Sequence, residues 1–177
     1  TKILDKIYTS NQKPNIEVQF FEPAIVTYSR LINKKTGLIV TFPASSELNN
    51  KVNFVVGEVL PNGEYTFELN AKNKENIFMD LPLLQIIVID NINPILTIIP
   101  SDGAILNKSI VTIQLIFDKE VNLNTVQLNS DEIKDRFTTI DNKLFTATLS
   151  LSDGNKKLEV DAMDFAKNSV KKNIEFI

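Results

Sequence analysis

The sequence predicts an all-β chain folded as two small sandwich domains in tandem. Three observations carry this: a two-residue hydrophobic period along most of the chain, turn residues between the periodic runs, and an internal repeat at a constant offset. Tyr65, Phe67, Leu69 and Ala71 alternate with Glu64, Thr66, Glu68 and Asn70. Val111, Ile113, Leu115 and Phe117 face one way, with Thr112, Gln114 and Asp118 opposite. Phe145, Ala147, Leu149 and Leu151 alternate with Thr146, Thr148 and Ser150, and Leu158, Val160 and Ala162 with Lys157, Glu159 and Asp161. Successive strand side chains point to opposite faces, so such runs mark strands with one face in a core and one in water, the habit of antiparallel sheets. Turn signals separate them at Pro61, Asn62 and Gly63, at Ser101, Asp102 and Gly103, and at Asp153, Gly154 and Asn155. The one helical candidate is short: residues 130–137 read as a turn or two capped by Ser130 or Asp131.

The repeat sets the domain count. Leu60, Gly63, Phe67, Leu69 and Ala71 recur 91 positions later as Leu151, Gly154, Leu158, Val160 and Ala162. Phe54 and Phe145 obey the same offset, as do Asn73 and Asp164. Near the start of each unit the offset becomes 80, matching Pro14, Ile16 and Val18 to Pro94, Leu96 and Ile98. A changed offset inside a repeat implies loops of different length on one framework. The expected domains are 1–90 and 91–177, with Pro94 opening the second. Residues 2–8 read either as the closing strand of a preceding unit, with 9–13 its linker, or as an extra first strand of domain one.

Composition narrows the function classes. The chain has no Cys and no His, which removes disulfides, thiolate nucleophiles, imidazole bases and nearly every zinc site. Of its 19 basic and 22 acidic residues, 9 and 10 fall in the first domain and 10 and 12 in the second. Neither half carries the basic excess that nucleic acid or an anionic membrane surface requires. The longest apolar run, 81–89, is half the length of a membrane-spanning helix.

Particular stretches carry a resemblance. The opening at 90–100, the segment of Val126, Leu128 and Asn129 followed by Ile133, and the tail from Leu151 to Asn168 resemble bacterial immunoglobulin-like domains, which are strung in series along large surface and secreted proteins. The family's usual ending has Gly where this chain has Lys167, which puts the loop's conformation in question, because Lys tolerates positive φ poorly. In the first half, Leu60, Gly63, Tyr65, Phe67, Leu69 and Ala71 resemble the stretch of immunoglobulin-like and fibronectin type III domains that carries a tyrosine corner. The resemblance implies two immunoglobulin-like β-sandwich domains in tandem, neighbours of the same kind in one chain, and an extracellular or cell-surface setting. It is specific for fold and weak for function.

Candidate sites are few. Asp161 and Asp164, and the group Asp131, Glu132 and Asp135, are the only clustered acids suited to acid–base chemistry. Alternation sends Asp161 to solvent, and no catalytic, cofactor-binding or metal residue is assigned. Asp90, Asn91 and Asn93 before Pro94 resemble cadherin-type linkers that bind Ca²⁺, although Asx residues before proline also make plain turns. An unchanged melting temperature between excess Ca²⁺ and chelator removes that idea. Leu83–Ile89 has Gln85 as its one polar residue, so both strand faces are apolar and one awaits a cover, either the neighbouring domain or a partner protein. With no Trp, and Tyr8, Tyr28 and Tyr65 as the only tyrosines, stacking platforms for sugars are scarce. The expected function is non-enzymatic: a spacer or stalk segment of a bacterial surface or secreted protein, with possible adhesive contacts to a host protein or glycan. The alternatives are an adhesin or receptor-binding module and an accessory module of a secreted polysaccharide-degrading enzyme.

Overall fold

A computed structural model describes residues 6–45, 47–79 and 82–177. The chain is all-β and divides between Asn91 and Ile92 into two immunoglobulin-like β-sandwich units.

Unit 1 contains β1 (Ile7–Thr9), β2 (Asn15–Asn33), β3 (Ile39–Phe42), β4 (Asn49–Val55), β5 (Gly63–Lys72) and β6 (Leu83–Ile89). One sheet runs β1-β6-β5-β2-β3, while β4 pairs with β2 off that path. The 19-residue β2 belongs to both layers. Its first half lies antiparallel to β4, from Asn15 opposite Val55 to Ala24 opposite Asn49. From Ile25 onward it pairs with β5, and at Ser29–Ile32 also with β3. Between Gln19 and Ala24 the β4 ladder slips, so residues 20–23 bulge out. Pro23 has no N–H for a ladder and is tolerated in a bulge. Strands that switch sheets at such bends make the corners of sandwiches. Phe54, Phe67 and Phe42 meet between the layers, with ring centroids 5.2–6.2 Å apart.

The first strand bears on the two readings of residues 2–13. Ile7–Thr9 pairs in parallel with Ile87–Ile89, and the Asp90 N–H donates to the Thr9 carbonyl at 2.9 Å. Gln12 and Leu60 bond to each other's backbone, and the Val56 N–H reaches the Pro14 carbonyl. Residues 7–14 are therefore hydrogen-bonded into unit 1. The remainder of that segment, residues 2–5, lies outside the described residues.

Unit 2 has one sheet of β9 (Val121–Leu128), β10 (Asp131–Glu132), β13 (Lys156–Asp164) and β14 (Ser169–Phe176), in the order β10-β9-β13-β14. The other holds β7 (Leu96–Ile99), β8 (Ile110–Phe117), β11 (Thr138–Thr139) and β12 (Leu144–Ser150), ordered β11-β12-β8-β7. The alternating residues read from the sequence fill the core between them: Val111, Ile113, Leu115, Phe117, Phe145, Leu158, Val160 and Ala162.

The predicted helix at 130–137 is replaced by a hairpin and a single 3-10 turn. Leu128 pairs with Asp131 across the two-residue loop Asn129 and Ser130, both at positive φ (52° and 75°). Two successive left-handed residues make the tight turn whose twist suits a β-hairpin. The 3-10 turn covers Lys134–Arg136, begins from Ile133, and has no side-chain cap. Ser and Asp favour turns as readily as helix caps, and here the turn wins.

The offset of 91 persists at the level of hydrogen bonds. In unit 1 the Asn73 N–H donates to the Ile77 carbonyl, Asn76 N–H to the Asn73 carbonyl, and Ile77 N–H to Asn73 Oδ1. In unit 2 the Asp164 N–H donates to the Asn168 carbonyl, Lys167 N–H to the Asp164 carbonyl, and Asn168 N–H to Asp164 Oδ1. Asn76 and Lys167 hold the same left-handed conformation, φ 61° and 73°. Lys167 thus takes the positive φ that this loop requires. The bulges match too: β2 slips between Val26 and Tyr28 opposite Ala71 and Asn70, and β9 between Leu123 and Thr125 opposite Ala162 and Asp161. The offset of 80 fails. Pro14 to Val18 opens the strand that faces β4, with Ile16 opposite Phe54, whereas Pro94 to Ile98 leads into β7, which pairs with β8. The partner of Phe145 is Leu115 on β8. A proline followed by alternation describes any strand, so that match identified the wrong one.

Candidate functional site

The acid pair Asp161 and Asp164 is split by strand geometry. Both lie on β13, but an odd spacing sends them to opposite faces: Asp164 is buried inward and Asp161 half-exposed. Asp161 Oδ1 accepts from Asn124 Nδ2 at 2.8 Å, and Lys171 Nζ lies 2.9 Å from Oδ2. Lys171, then Asn124, hold its carboxyl below the usual aspartate range against the opposing effect of burial. Asp164 Oδ2 accepts from Asn168 Nδ2 at 2.9 Å and from Lys119 Nζ at 3.4 Å. Its oxygens thus brace the 164–168 loop. Glu132 Oε1 accepts from the N–H groups of Val126 and Lys134, both at 3.0 Å, tying the hairpin to the 3-10 turn. Asp161, Asp164 and Glu132 each pin local backbone or a neighbouring strand, which is structural work, whereas Asp131 and Asp135 are exposed.

Among the described residues no three His, Cys, Asp or Glu side chains converge as a metal cluster. In the 90–93 segment Asp90 is the single carboxylate, and the Asn91 N–H donates to Asn62 Oδ1 at 3.3 Å. Among the described residues no helix is long and apolar enough to cross a membrane.

The tyrosine corner is formed. Tyr65 is fully buried and its hydroxyl donates to the Pro61 carbonyl at 2.8 Å. Nearby, a Cβ on residue 63 would lie 2.9 Å from Asn33 Nδ2. Asn33 is buried, and its Oδ1 accepts from the N–H groups of Lys35 and Thr36, so it has little room to retreat. That close approach accounts for Gly63. At the repeat offset, Lys156 occupies the place of Tyr65. It is also buried, and its Nζ donates to the carbonyls of Asp153 (3.1 Å) and Gly154 (2.9 Å). The sequence contains this substitution in plain view at offset 91, but a Lys in an alternating strand reads as a solvent-facing residue.

Leu83–Ile89 buries Gln85, Ile87 and Ile89 and leaves Leu84, Ile86 and Val88 half-buried. The polar residue is therefore on the core side, where Gln85 Nε2 donates to the Ile86 carbonyl at 3.0 Å. A different apolar surface went unread. The bulge of β2 turns Phe21 fully outward, and with Ile77, Phe78 and Met79 it borders a pocket of about 260 Å³ floored by Phe20 and Ala71. The signal was the adjacent pair Phe20 and Phe21, which no single strand face can bury together. Of the tyrosines, Tyr28 lies under the Arg30 guanidinium, 5.6 Å from the ring centroid, and Tyr8 is exposed.

No protein-family model matches the chain, and no curated protein matches it. Solved structures similar to it include the fibronectin(III)-like modules of Clostridium thermocellum CbhA, at 12% identity and TM-score 0.47, over 99% of this chain and 90% of that one. A tetra-tandem repeat from the extending region of a large adhesion protein is 16% identical with TM-score 0.40, over 98% of this chain and 47% of that one. A tandem from titin is 11% identical with TM-score 0.39, over 98% and 62%. At this level of similarity they say nothing of what this chain binds or does.

Proposed function

We propose that the chain is a non-enzymatic spacer or stalk segment of a bacterial cell-surface or secreted protein. One observation carries the reading: two units repeat a framework down to the same bulge and the same loop hydrogen bonds, within one chain. Duplicated sandwiches set in series suit a role in which length and mechanical continuity matter more than a reaction centre. The use of Asp161, Asp164 and Glu132 as internal braces supports the same view. The outward Phe21, Ile77 and Phe78 favour adhesive contact with a partner as a second role, since grouped exposed apolar side chains mark interaction surfaces.

Single-molecule pulling on the two ends tests the spacer reading. Two separate unfolding events are expected, each releasing roughly 300 Å of chain at 3.3–3.6 Å per residue. One event releasing the whole length, or turnover of a polysaccharide or peptide substrate by the purified chain, overturns it.

A further inference from the structure

The corner lysine of unit 2 sits beside an open pocket. Where Tyr65 and Leu60 are both fully buried in unit 1, their counterparts Lys156 and Leu151 line a pocket of about 380 Å³. An unbranched lysine chain fills less of the corner than a tyrosine ring. Leu106, Val111, Phe176 and Ile177 supply the apolar walls. The pocket is within the size range of small-molecule sites, and a smaller apolar cavity of about 150 Å³ already holds a benzene ring. Lys108 and Asp153 are exposed lining residues of opposite sign, and the buried Lys156 adds a positive charge from within the corner.

Lys156 is 7% exposed, and among the described residues its Nζ hydrogen-bonds to those two backbone carbonyls and to no carboxylate. An ammonium has three donors, so one remains. A buried positive charge without an anion is costly, and an incoming carboxylate relieves that cost. We infer that this pocket binds a small aromatic carboxylate, its carboxylate on Lys156 and its ring in the space that the Tyr65 ring fills in unit 1. This site is independent of the spacer reading.

Amide-resolved NMR of the whole chain with phenylpropanoate as probe tests it. Millimolar probe is expected to shift the amides of Leu106, Leu151, Gly154 and Phe176 while those of unit 1 stay put. The neutral phenylpropanamide binds roughly ten- to a hundredfold more weakly, the worth of a charge-assisted hydrogen bond. Lys156→Met weakens the acid by the same factor, and Lys156→Tyr, which rebuilds the corner of unit 1, abolishes binding. No shifts with the native chain, equal affinity for acid and amide, or undiminished binding by either variant overturns the inference. Should both variants fail to fold, the acid-against-amide comparison on the native chain decides it.

Discussion

Lys167 holds a backbone conformation that costs an L-residue about 1–2 kcal/mol, because Cβ crowds the following carbonyl. Asn76 meets the same demand in unit 1 more cheaply, since Asn enters this region readily. Lys167→Gly is therefore expected to stabilise unit 2 by up to about 1 kcal/mol after the added freedom of the unfolded chain is subtracted. A lower denaturant midpoint for the glycine variant contradicts this. Asp161 carries a pH dependence. Lys171 and Asn124 depress its pKa in the folded state, so its contribution is complete above the unfolded value of about 3.9. That contribution is lost as the pH falls through the lower folded value. Asp161→Asn should flatten the acid limb of unit 2 stability below about pH 4 and leave the neutral limb's slope unchanged. Melts of both proteins across that range check the slope.

The strands were legible wherever one face meets a core and the other water. Tyr65 to Ala71 and Leu158 to Ala162 are buried at alternate positions as their pattern requires. Phe67 is the sharpest case, fully buried against Phe42 and Phe54. Phe67→Ala should cost about 3–5 kcal/mol, and a loss below about 1 kcal/mol in denaturant melts would show that the site collapses around the missing ring. What the pattern could not convey was pairing. β2 holds residues 20–23 in a bulge and continues into the other sheet, a change of partner that no alternation of side chains encodes. Asn129 and Ser130 make a hairpin where Ser and Asp also suit a helix start. The mistaken offset of 80 has the same origin, because alternation names a strand's faces and not its neighbours.

At the level of the whole molecule, the pocket beside Lys156 draws on residues from Leu106 to Ile177, and no local motif announces such a convergence. The offset of 91 was its one trace, visible once Lys156 is set against Tyr65. The pairing of β1 with β6 has a further consequence, for solubility. Without Ile7–Thr9, the edge of Ile87–Ile89 would present open N–H and C=O groups beside half-buried Ile86 and Val88. Unpaired apolar edges recruit strands from other molecules. A chain begun after Thr9 should therefore keep its β-rich fold at low concentration yet associate as concentration rises, seen by light scattering. Substituting Pro for Val88 should suppress that association, because proline blunts a strand edge. This three-residue strand thus acts as a guard against self-association, and a chain that stays monodisperse without it would deny it that role.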